Sequence, residues 1–518
     1  MKRLFFCFFP IALAAAQSID PNALQGYQSL QTSALYSRLS VLTADSLEGR
    51  EISYPGQRKA ARFIAQEFQK FHLKPIGDNG TYFQHFNVTA TGMDSTSTIV
   101  AAIGNVSTTY HWGKDFIGGP TFDTTVSGKA AFIGYTDTEL DDVAKEKLSG
   151  RILFVFIGKR RYADDTSRAM LLQRLFALRR ETSAAAMLMV TDDEGTASFL
   201  PVRSFLWNTG ADKLAIKMPD TTKPVQQLSI RFIVSSELAQ SILQGSGTTL
   251  QQLRSESKKE KIFAPLFLDN VTVTVNSKSI HELRQTENVV GLLEGSDPIL
   301  KNEAVVISAH HDHLGKDLAG NIYHGADDDG SGTTSLMDLA EAFAKNPVKP
   351  KRSILFLSVT GEEKGLFGSS YYTDHPLVPL QQTFTDLNID MIGRTDDLHQ
   401  DRPALNYVYV IGSDKISPQL DSLLNAANKE SEHIDLDYKY NDENDPEQYY
   451  RRSDHYNFAK HNVPVVFFFT GNHKDYHKPT DTIEKIQFDK MLKIDHLIYD
   501  LAWKLANLDH PLVKPFTH

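Results

Sequence analysis

Residues 304–315 read AVVISAHHDHLG, an apolar run that ends in three histidines and an aspartate. The apolar part, Val305-Val306-Ile307, predicts a buried strand. This strand leads into the polar cluster that begins at His310. Similar runs recur in the second half of the chain and alternate with helix-like stretches: NVVGLLEG, SILFLSVT, DLNIDMIG, YVYVIGS and VPVVFFFT. This alternation, with strands that are apolar almost throughout, predicts a largely parallel sheet covered by helices on both faces.

Acidic residues and histidines follow four of these strands. His310 follows the first, Glu362-Glu363 the second and Asp390 the third, and the loop after the fourth ends at His477. Open α/β sheets bind ligands beyond the carboxyl ends of their strands, so these side chains are expected at one edge. Because buried charges without a partner are costly, such a gathering favours a metal site. Nitrogen and oxygen ligands without sulfur are typical of catalytic zinc.

Helical periodicity marks two further stretches. In the first, GQRKAARFIAQEFQKFHL, the apolar positions on one face are Ala60, Ile64, Phe68 and Phe71. The second follows the glycine-rich segment GADDDGSG at residues 325–332, and its apolar positions are Leu336, Leu339, Ala340 and Phe343. Both patterns predict helices that pack one face on the core.

The composition excludes several classes of protein. The chain has 518 residues, 41% of them hydrophobic and 23% charged, which is ordinary for a globular protein and excludes a disordered or collagen-like chain and a polytopic membrane protein. Its length predicts two or three domains. The formal charge of −10, without a basic block, argues against a nucleic-acid partner. The single cysteine excludes a disulfide scaffold and a thiolate metal cluster.

The first sixteen residues, MKRLFFCFFPIALAAA, have the pattern of a secretory signal peptide of bacterial type. Lys2 and Arg3 precede a short apolar run and a small-residue site at Ala14–Ala16. No other apolar run is long enough to cross a bilayer, so we expect a secreted or periplasmic protein that is not integral to the membrane after cleavage. The oligomeric state is left open.

Six motifs then occur in order between residues 309 and 482: AHHDHLG, YHGADDDGSG, TGEEKGLFGS, NIDMIGR, SDHYNF and HKPTDT. Together they resemble the secreted co-catalytic di-zinc aminopeptidases, a family that includes glutamate carboxypeptidases, the transferrin-receptor ectodomain and the one-metal glutaminyl cyclases. The resemblance covers residues 280–510, and the segment EGR…PGQRKAA near residues 48–61 is similar to the family's N-terminal portion. The middle of the chain, with VSGKAAFIGY and LSGRILFV, is similar to a protease-associated domain.

The resemblance implies a domain organisation. A signal peptide at 1–16 would precede a discontinuous zinc-peptidase catalytic domain, residues 17–115 plus 270–518. A protease-associated (PA) insert, residues 116–269, would interrupt it. The implied fold class is α/β, with a mixed, largely parallel sheet flanked by helices on both faces, of the phosphorylase/hydrolase-like zinc-peptidase type, and the insert is a smaller α/β domain.

The resemblance also implies two zinc ions per chain and their ligands. His310 and Asp390 would bind one zinc ion, Glu363 and His477 the other, and Asp328 would bridge both. Asp327 and Asp329, on either side of Asp328, are expected to be structural.

Three further residues receive catalytic roles from the resemblance. Glu362 would be the general base toward the water that bridges the two zinc ions. Asp312 would orient His310 through the second ring nitrogen, as carboxylates behind metal ligands do. Tyr450 would supply a hydrogen bond to the oxyanion.

Other histidines and arginines near these motifs leave alternatives open. His311 and His313 are expected to pack near the site or to support it. His324 and His455 could contact the site or have a structural role. His461 and His473 are expected at the surface. Three arginines could bind a substrate carboxylate or pair with nearby acids: Arg394, Arg451 and Arg452.

The expected function is that of an exported zinc exopeptidase that hydrolyses N-terminal residues from peptides with a free N-terminus. A carboxypeptidase of the same family is the first alternative and would need a cationic pocket. Glutaminyl cyclase-like acyl transfer is disfavoured because both positions of the first metal, His310 and Asp390, are filled. A receptor-like binding protein would lack ligands or the base, and here every position is filled.

Overall fold

The structure is a computed structural model, and it describes residues 19–119, 122–136, 139–157, 177–191, 215–218, 231–259, 264–317, 319–400 and 406–514. The predicted signal peptide at 1–16 lies outside these ranges. Within them, no helix combines the length and apolar character that crossing a membrane requires.

The strands in these ranges are β1 Lys74–Pro75, β2 Phe83–Met93, β3 Thr98–Ile103, β4 Val106–His111, β5 Phe116–Gly118, β6 Thr124–Tyr135, β7 Ile152–Ile157, β8 Ala186–Thr191, β9 Ala215–Lys217, β10 Arg231–Val234, β11 Leu266–Ser277, β12 Ser279–Leu293, β13 Ala304–His310, β14 Gly315–Lys316, β15 Ile322–Tyr323, β16 Ser353–Val359, β17 Thr383–Ile389, β18 Tyr407–Ile411, β19 Asp435–Asp437 and β20 Val465–Phe469.

The α-helices are α1 Leu24–Tyr27, α2 Thr32–Leu42, α3 Pro55–Lys70, α4 Asp142–Lys147, α5 Ser236–Ile242, α6 Leu250–Lys259, α7 Gly330–Lys345, α8 Phe367–Asp374, α9 Pro418–Glu430, α10 His455–Ala459 and α11 Phe488–Asn507. Short 3-10 turns occur as well, at Asp45–Arg50, Asp78–Gly80, Leu300–Asn302, Glu362–Lys364, Leu380–Gln382, Lys439–Asn441, Tyr449–Arg451 and Ile483–Lys485.

The chain forms two compact units. The first comprises the described residues within Met1–Phe86, Gln285–Lys316 and Asn321–His518, and the second those within Asn87–Arg284 and Asp317–Gly320. The chain therefore passes between the units inside β2 and β12. The predicted insert, residues 116–269, falls within the second unit. This unit extends beyond the predicted insert at both ends, because β3, β4 and β11 pair into its sheet.

A mixed sheet organises the first unit, in the order β19-β18-β20-β17-β13-β16-β12. The four inner strands β20, β17, β13 and β16 run parallel, and β18 and β12 are antiparallel to their inner neighbours. The carboxyl ends of the inner strands therefore meet at one edge: His310 is in register with Val359, and Ile389 with Phe468.

Both faces of this sheet are buried, as the apolar strands predict. On β13, Val305 and Ile307 belong to a core shared with the helices α2, α3, α7 and α11. Val306 belongs to a second core, which contains Tyr372 of α8 and Phe458 of α10. Successive strand residues point to opposite faces, so strands covered on both sides must be apolar throughout.

The two predicted helices form as expected. The first is α3, where Ala60, Ile64 and Phe68 are fully buried, while the fourth predicted position, Phe71, directly follows the helix and is partly buried. The second is α7, whose predicted apolar positions are likewise fully buried.

The second unit has a sheet of its own, in the order β4-β3-β11-β6-β7-β8-β10-β5. The apolar runs KAAFIGY, RILFVFIG, AMLMVTD and SIRFIVS contribute its parallel strands β6, β7, β8 and β10. Its interior is separate, with Phe132 and Phe154 stacked at 4.8 Å between ring centroids.

Candidate functional site

The site lies at the carboxyl edge of the first unit's sheet. His310 is the last residue of β13, Asp390 follows β17 directly, and Glu362 and Glu363 follow β16 after Gly361. Gly361 has φ of +81°, and a Cβ there would come within 2.6 Å of the Ile52 side chain. A glycine is therefore required for the turn that brings the two glutamates over the strand end.

One cluster of carboxylates surrounds His310. Its Nε2 lies 3.4 Å from Asp328 Oδ1, 3.6 Å from Asp390 Oδ1 and 3.9 Å from Glu362 Oε2. All four side chains are almost entirely shielded from solvent. The other oxygen of Asp390 accepts a hydrogen bond from Ser453 Oγ at 2.7 Å, which fixes the orientation of this carboxylate.

A second cluster shares Asp328 with the first. His477 Nε2 lies 3.0 Å from Asp328 Oδ2 and 3.2 Å from Glu363 Oε2. His313 also belongs here, because its Nδ1 is 2.7 Å from Glu363 Oε1. The structure thus brings together all five residues predicted to bind metal, with Asp328 between the two groups.

The charged groups of the second cluster shift each other's pKa values. Although burial opposes it, Glu363 and Asp328 raise the pKa of His477 to about 11. Burial also opposes the shift at Glu363, whose pKa is lowered by His477 and by the hydrogen bond with His313. Both directions have one cause: the carboxylates stabilise positive charge between them.

The segment that carries Asp328 is fixed by its neighbours. The Asp329 carboxylate caps α7 by accepting from Gly332 N at 2.8 Å, and it also accepts from His310 N and Met391 N. It thereby joins the ends of β13 and β17 to the helix N-terminus, and it has the structural role expected of it.

Asp312 lies behind the first cluster, but its contact differs from the predicted one. His310 Nδ1 is 3.2 Å from the backbone carbonyl oxygen of Asp312 and 3.7 Å from its carboxylate Oδ1. The carbonyl is therefore the acceptor that orients the ring. The carboxylate Oδ1 accepts from the backbone N of Glu362 at 3.3 Å and so supports the predicted base.

Glu362 lines a cavity beside the two clusters. Burial raises the pKa of Glu362 well above its usual value, and the charges of Asp390 and Glu363 raise it further while His310 opposes them. The cavity is lined by Asp328, Glu362 and Asp390 on one side.

The structure does not place Tyr450 at this cavity. Tyr450 lines a neighbouring cavity with Lys415 and Tyr440, and its ring packs against Gly412. The tyrosines that line the cavity of the two clusters are Tyr449 and Tyr476. The prediction of Tyr450 is therefore corrected: neighbouring residues in the turn Tyr449–Arg451 face different cavities, and sequence alone could not distinguish them.

Tyr476 was not singled out from the sequence, although it directly precedes a predicted ligand. Its ring stacks on His477 at 3.8 Å between centroids. Burial raises the pKa of Tyr476, and Asp328, Glu363 and Glu362 add to the effect. Its phenol therefore keeps its proton at neutral pH and can donate a hydrogen bond.

Asp481 is another residue whose role the structure reveals. Its Oδ2 accepts from the backbone N of Asp327 at 3.0 Å and lies 3.3 Å from that of Asp328. The motif HKPTDT thus contributes a predicted ligand, His477, and also a carboxylate that holds the segment of another ligand. In the sequence, its position two residues after Pro479 is typical of an ordinary turn.

The remaining histidines divide by burial. Burial lowers the pKa of His311 to about 3, and its ring contacts Gln57 and Ser358. Burial likewise lowers the pKa of His455 to about 3, and its ring stacks on Phe467. These two are neutral packing residues. His324, whose role was left open, contacts Asp45 at the surface, and His461 is exposed as expected.

The surface position predicted for His473 is wrong. Only 6% of this residue is exposed, because the turn after β20 directs its ring inward, toward Asp327.

The three arginines have different surroundings. Arg394 is partly buried and pairs with Asp475 at 3.0 Å, and Arg451 lines the cavity of Tyr450. Arg452 lines the cavity of the two clusters, with its guanidinium over the Tyr449 ring at 4.6 Å.

The donor set fits divalent metal ions. Two groups of side chains bring their ligand atoms together: His310, Asp328 and Asp390, and His313, Asp328 and Glu363. Among the described residues, His310 Nε2 and Asp328 Oδ2 are buried without a hydrogen-bond partner, although both face the clusters. Imidazole nitrogens and carboxylate oxygens are the ligands of catalytic zinc.

Comparison with known proteins identifies one matching family and several relatives. Residues 288–502 match the family described as Peptidase family M28. Leucine aminopeptidase 2 of Trichophyton equinum is 32% identical over 209 residues, which are 39% of this chain and 37% of that protein. Leucine aminopeptidase 2 of Arthroderma otae is 30% identical over 244 residues, 42% of this chain and 44% of that protein. The chain thus spans less than half the length of these curated relatives.

Two solved structures are similar over nearly the whole chain. An aminopeptidase from Aneurinibacillus sp. strain AM-1 superposes with a TM-score of 0.52 at 18% identity, covering 96% of this chain and 99% of that one. A zinc aminopeptidase from Bacillus subtilis gives a TM-score of 0.51 at 16% identity, covering 92% and 95%. At these identities the likeness concerns the fold, and it confirms the predicted mixed α/β class.

Proposed function

We propose that this chain, whose residues 288–502 belong to Peptidase family M28, is a metallo-aminopeptidase that hydrolyses the first peptide bond of peptides with a free N-terminus. One observation carries the proposal. Two clusters of imidazole and carboxylate groups share Asp328, and the carboxylate of Glu362 lies in the cavity beside them. Asp328 can therefore bridge two ions while Glu362 remains available for proton transfer.

Two zinc ions are proposed as the cofactor. His310, Asp328 and Asp390 would hold one ion, and Asp328, Glu363 and His477 the other, with His313 beside Glu363. When bound, the ions would polarise a water molecule and the carbonyl of the scissile bond.

Glu362 is the proposed general base. Its carboxylate would take a proton from the attacking water and return that proton to the leaving amine nitrogen. A carboxyl with a raised pKa can hold a proton between these steps. The Asp312 carboxylate accepts a hydrogen bond from the backbone N–H of Glu362 and so keeps that backbone in place. Asp312 is therefore proposed as a supporting residue of the base.

Tyr476 is the proposed oxyanion donor in place of Tyr450. It lines the cavity with Asp328 and Glu362, and its raised pKa keeps the hydroxyl proton available. Arg452 lines the same cavity, where its guanidinium interacts with the Tyr476 side chain.

Tyr476→Phe is expected to lower kcat by about 10²–10³, because it removes one hydrogen-bond donor from the developing oxyanion. Steady-state kinetics together with measurement of bound zinc checks this, since the ligand set is unchanged and zinc should be retained. Tyr450→Phe is the matched control and should leave kcat unchanged. The assignment would be reversed if Tyr450→Phe lost activity while Tyr476→Phe did not.

The cavity also indicates the substrate. Its carboxylates suit a positively charged α-amine, while apolar and aromatic side chains form part of the wall: Met391, Tyr449, Phe467 and Phe469. We therefore propose peptides that begin with an apolar residue, in agreement with the names of the fungal relatives. Arg452 lines the same cavity, and this favours a carboxypeptidase as the second candidate.

A panel of peptides distinguishes these candidates. We expect leucyl-p-nitroanilide and free leucyl peptides to be cleaved, N-acetylated forms to resist cleavage, and C-terminal amidation to have no effect. Chelation should abolish the activity, and two zinc ions per chain should restore it. Cleavage of N-acetylated peptides together with loss on amidation would indicate a carboxypeptidase. One zinc ion with release of ammonia from N-terminal glutamine would indicate a cyclase.

Export and the nature of the second unit complete the proposal. The pattern of residues 1–16 supports secretion or a periplasmic location. The second unit has its own sheet and its own core, which supports an inserted protease-associated domain. Detection of the activity outside the cytoplasm of the source cells would test the location.

A further inference from the structure

A buried pair of side chains, His473 and Asp327, joins two segments that carry proposed metal ligands. His473 Nε2 lies 3.2 Å from Asp327 Oδ2. Asp327 directly precedes Asp328, and His473 is four residues before His477. The pair therefore links the segment that carries Asp328 to the loop that carries His477.

The hydrogen bonding of His473 indicates which ring nitrogen bears the proton. Its Nδ1 is 3.2 Å from the backbone N of Asp475 and accepts that N–H. In the neutral ring the proton is therefore on Nε2, directed at Asp327. Among the described residues, both atoms are buried and neither forms a hydrogen bond, so they face each other across this 3.2 Å contact. Since buried polar atoms need a partner, each atom depends on the other.

The turn built on His473 presents the functional side chains of this loop. The backbone N of Tyr476 donates to the carbonyl of His473 at 3.0 Å. The Asp475 carboxylate is held in turn by Lys485 at 2.8 Å and Arg394 at 3.0 Å. The base of the turn is thus fixed on both sides, and Tyr476 and His477 extend from it.

Asp327 is held equally firmly on its other side. Its Oδ1 accepts from Gly393 N at 2.6 Å, so the carboxylate is anchored to the chain that follows β17. A contact from His473 to Asp327 consequently fixes the loop relative to the sheet edge.

We propose that His473 is a positioning residue for the metal site. Through the contact of its Nε2 with the Asp327 carboxylate, it holds the turn of Tyr476 and His477 where Asp328, Glu363 and His477 can bind one ion. This inference rests on the proposed function, since it concerns the ion bound by His477.

Two conservative variants separate the two contacts of this ring. In His473→Gln the amide nitrogen can replace Nε2 and donate to Asp327. In His473→Asn the shorter amide can replace Nδ1 and accept from Asp475, but it cannot reach Asp327. Residues behind metal ligands contribute about 10–100-fold to metal affinity. The two variants should therefore differ in metal binding.

Calorimetric titration of the metal-free full chain with Zn²⁺ tests this difference. We expect two binding events in the wild type. His473→Asn should weaken one of them by about 10–100-fold and leave the other unchanged, whereas His473→Gln should retain both. His461→Asn, at an exposed histidine of the same region, is the control and should resemble the wild type. Unchanged affinities in His473→Asn, or equal weakening in both His473 variants, would overturn the proposal.

Asp327→Asn provides a second measurement that does not alter the histidine. It keeps an oxygen for the Gly393 N–H but removes the charge that faces His473, so it should weaken the same binding event. No change in this variant would also overturn the inference. The titration needs no peptide turnover, so a wild type that binds no Zn²⁺ would instead refute the proposed function.

Discussion

Replacing Glu362 by alanine is expected to lower kcat by about 10²–10⁴ while both zinc ions remain bound, because the variant removes the proton acceptor and none of the proposed ligands. Glu362 Oε2 is 3.9 Å from His310 Nε2, near the first cluster, and its carboxylate lines the open cavity. Its alternative role, as a metal ligand, would give a different result, since zinc would then be lost with the activity.

Glu363→Ala is the comparison that separates these roles. Glu363 is the adjacent carboxylate, but it lies 3.2 Å from His477 Nε2 in the second cluster. We expect this variant to lose one zinc ion as well as activity. Zinc content by atomic absorption and kcat from the same samples would measure both effects. Wild-type-like turnover of Glu362→Ala would remove Glu362 as the base.

Replacing Arg50 by methionine is expected to have the largest effect on stability, lowering the free energy of unfolding of the first unit by about 4 kcal/mol. Arg50 is 1% exposed. Its guanidinium donates to four backbone carbonyls: Leu42 at 2.7 Å, His311 at 2.9 Å, His324 at 2.6 Å and Gly325 at 2.9 Å. Methionine would leave these buried oxygens without a donor, and each such loss costs about 1–3 kcal/mol before relaxation.

The control for this variant is Arg58→Met on the neighbouring helix α3. Arg58 is exposed and donates to one carbonyl, that of Gln285, at 3.0 Å. Its loss should change stability by no more than about 0.5 kcal/mol. Urea denaturation of the metal-free chains would compare the variants without the contribution of bound zinc. Equal stability of Arg50→Met and Arg58→Met would contradict the structural role of Arg50.

The fold and the gathering of ligands could be predicted because local rules determine them. Strands that are apolar throughout must be covered on both faces, and the carboxyl ends of parallel strands meet at one edge. His310, Glu363 and Asp390 lie within a few residues of such ends, so their approach follows from the direction of the strands. The hydrophobic period of 3.6 residues likewise predicts α3 and α7.

The loops followed no such rule. Tyr449 and Tyr450 are adjacent in a short turn, and only the packing of that turn decides that Tyr449 faces the cavity while Tyr450 faces a neighbouring one. The same holds for His473, whose ring turns inward to contact Asp327. This partner lies far away in the sequence, so the contact forms only in the folded chain.

The sequence by itself therefore determined the fold class and the edge of the sheet where the candidate ligands gather. The tertiary structure alone decided which side chains of the connecting loops reach that edge, where the second unit begins and ends, and how Arg50 and Asp481 hold the ligand segments. The physical reason is that strand direction and residue periodicity are local properties, whereas the direction of a loop side chain depends on partners that only folding brings near.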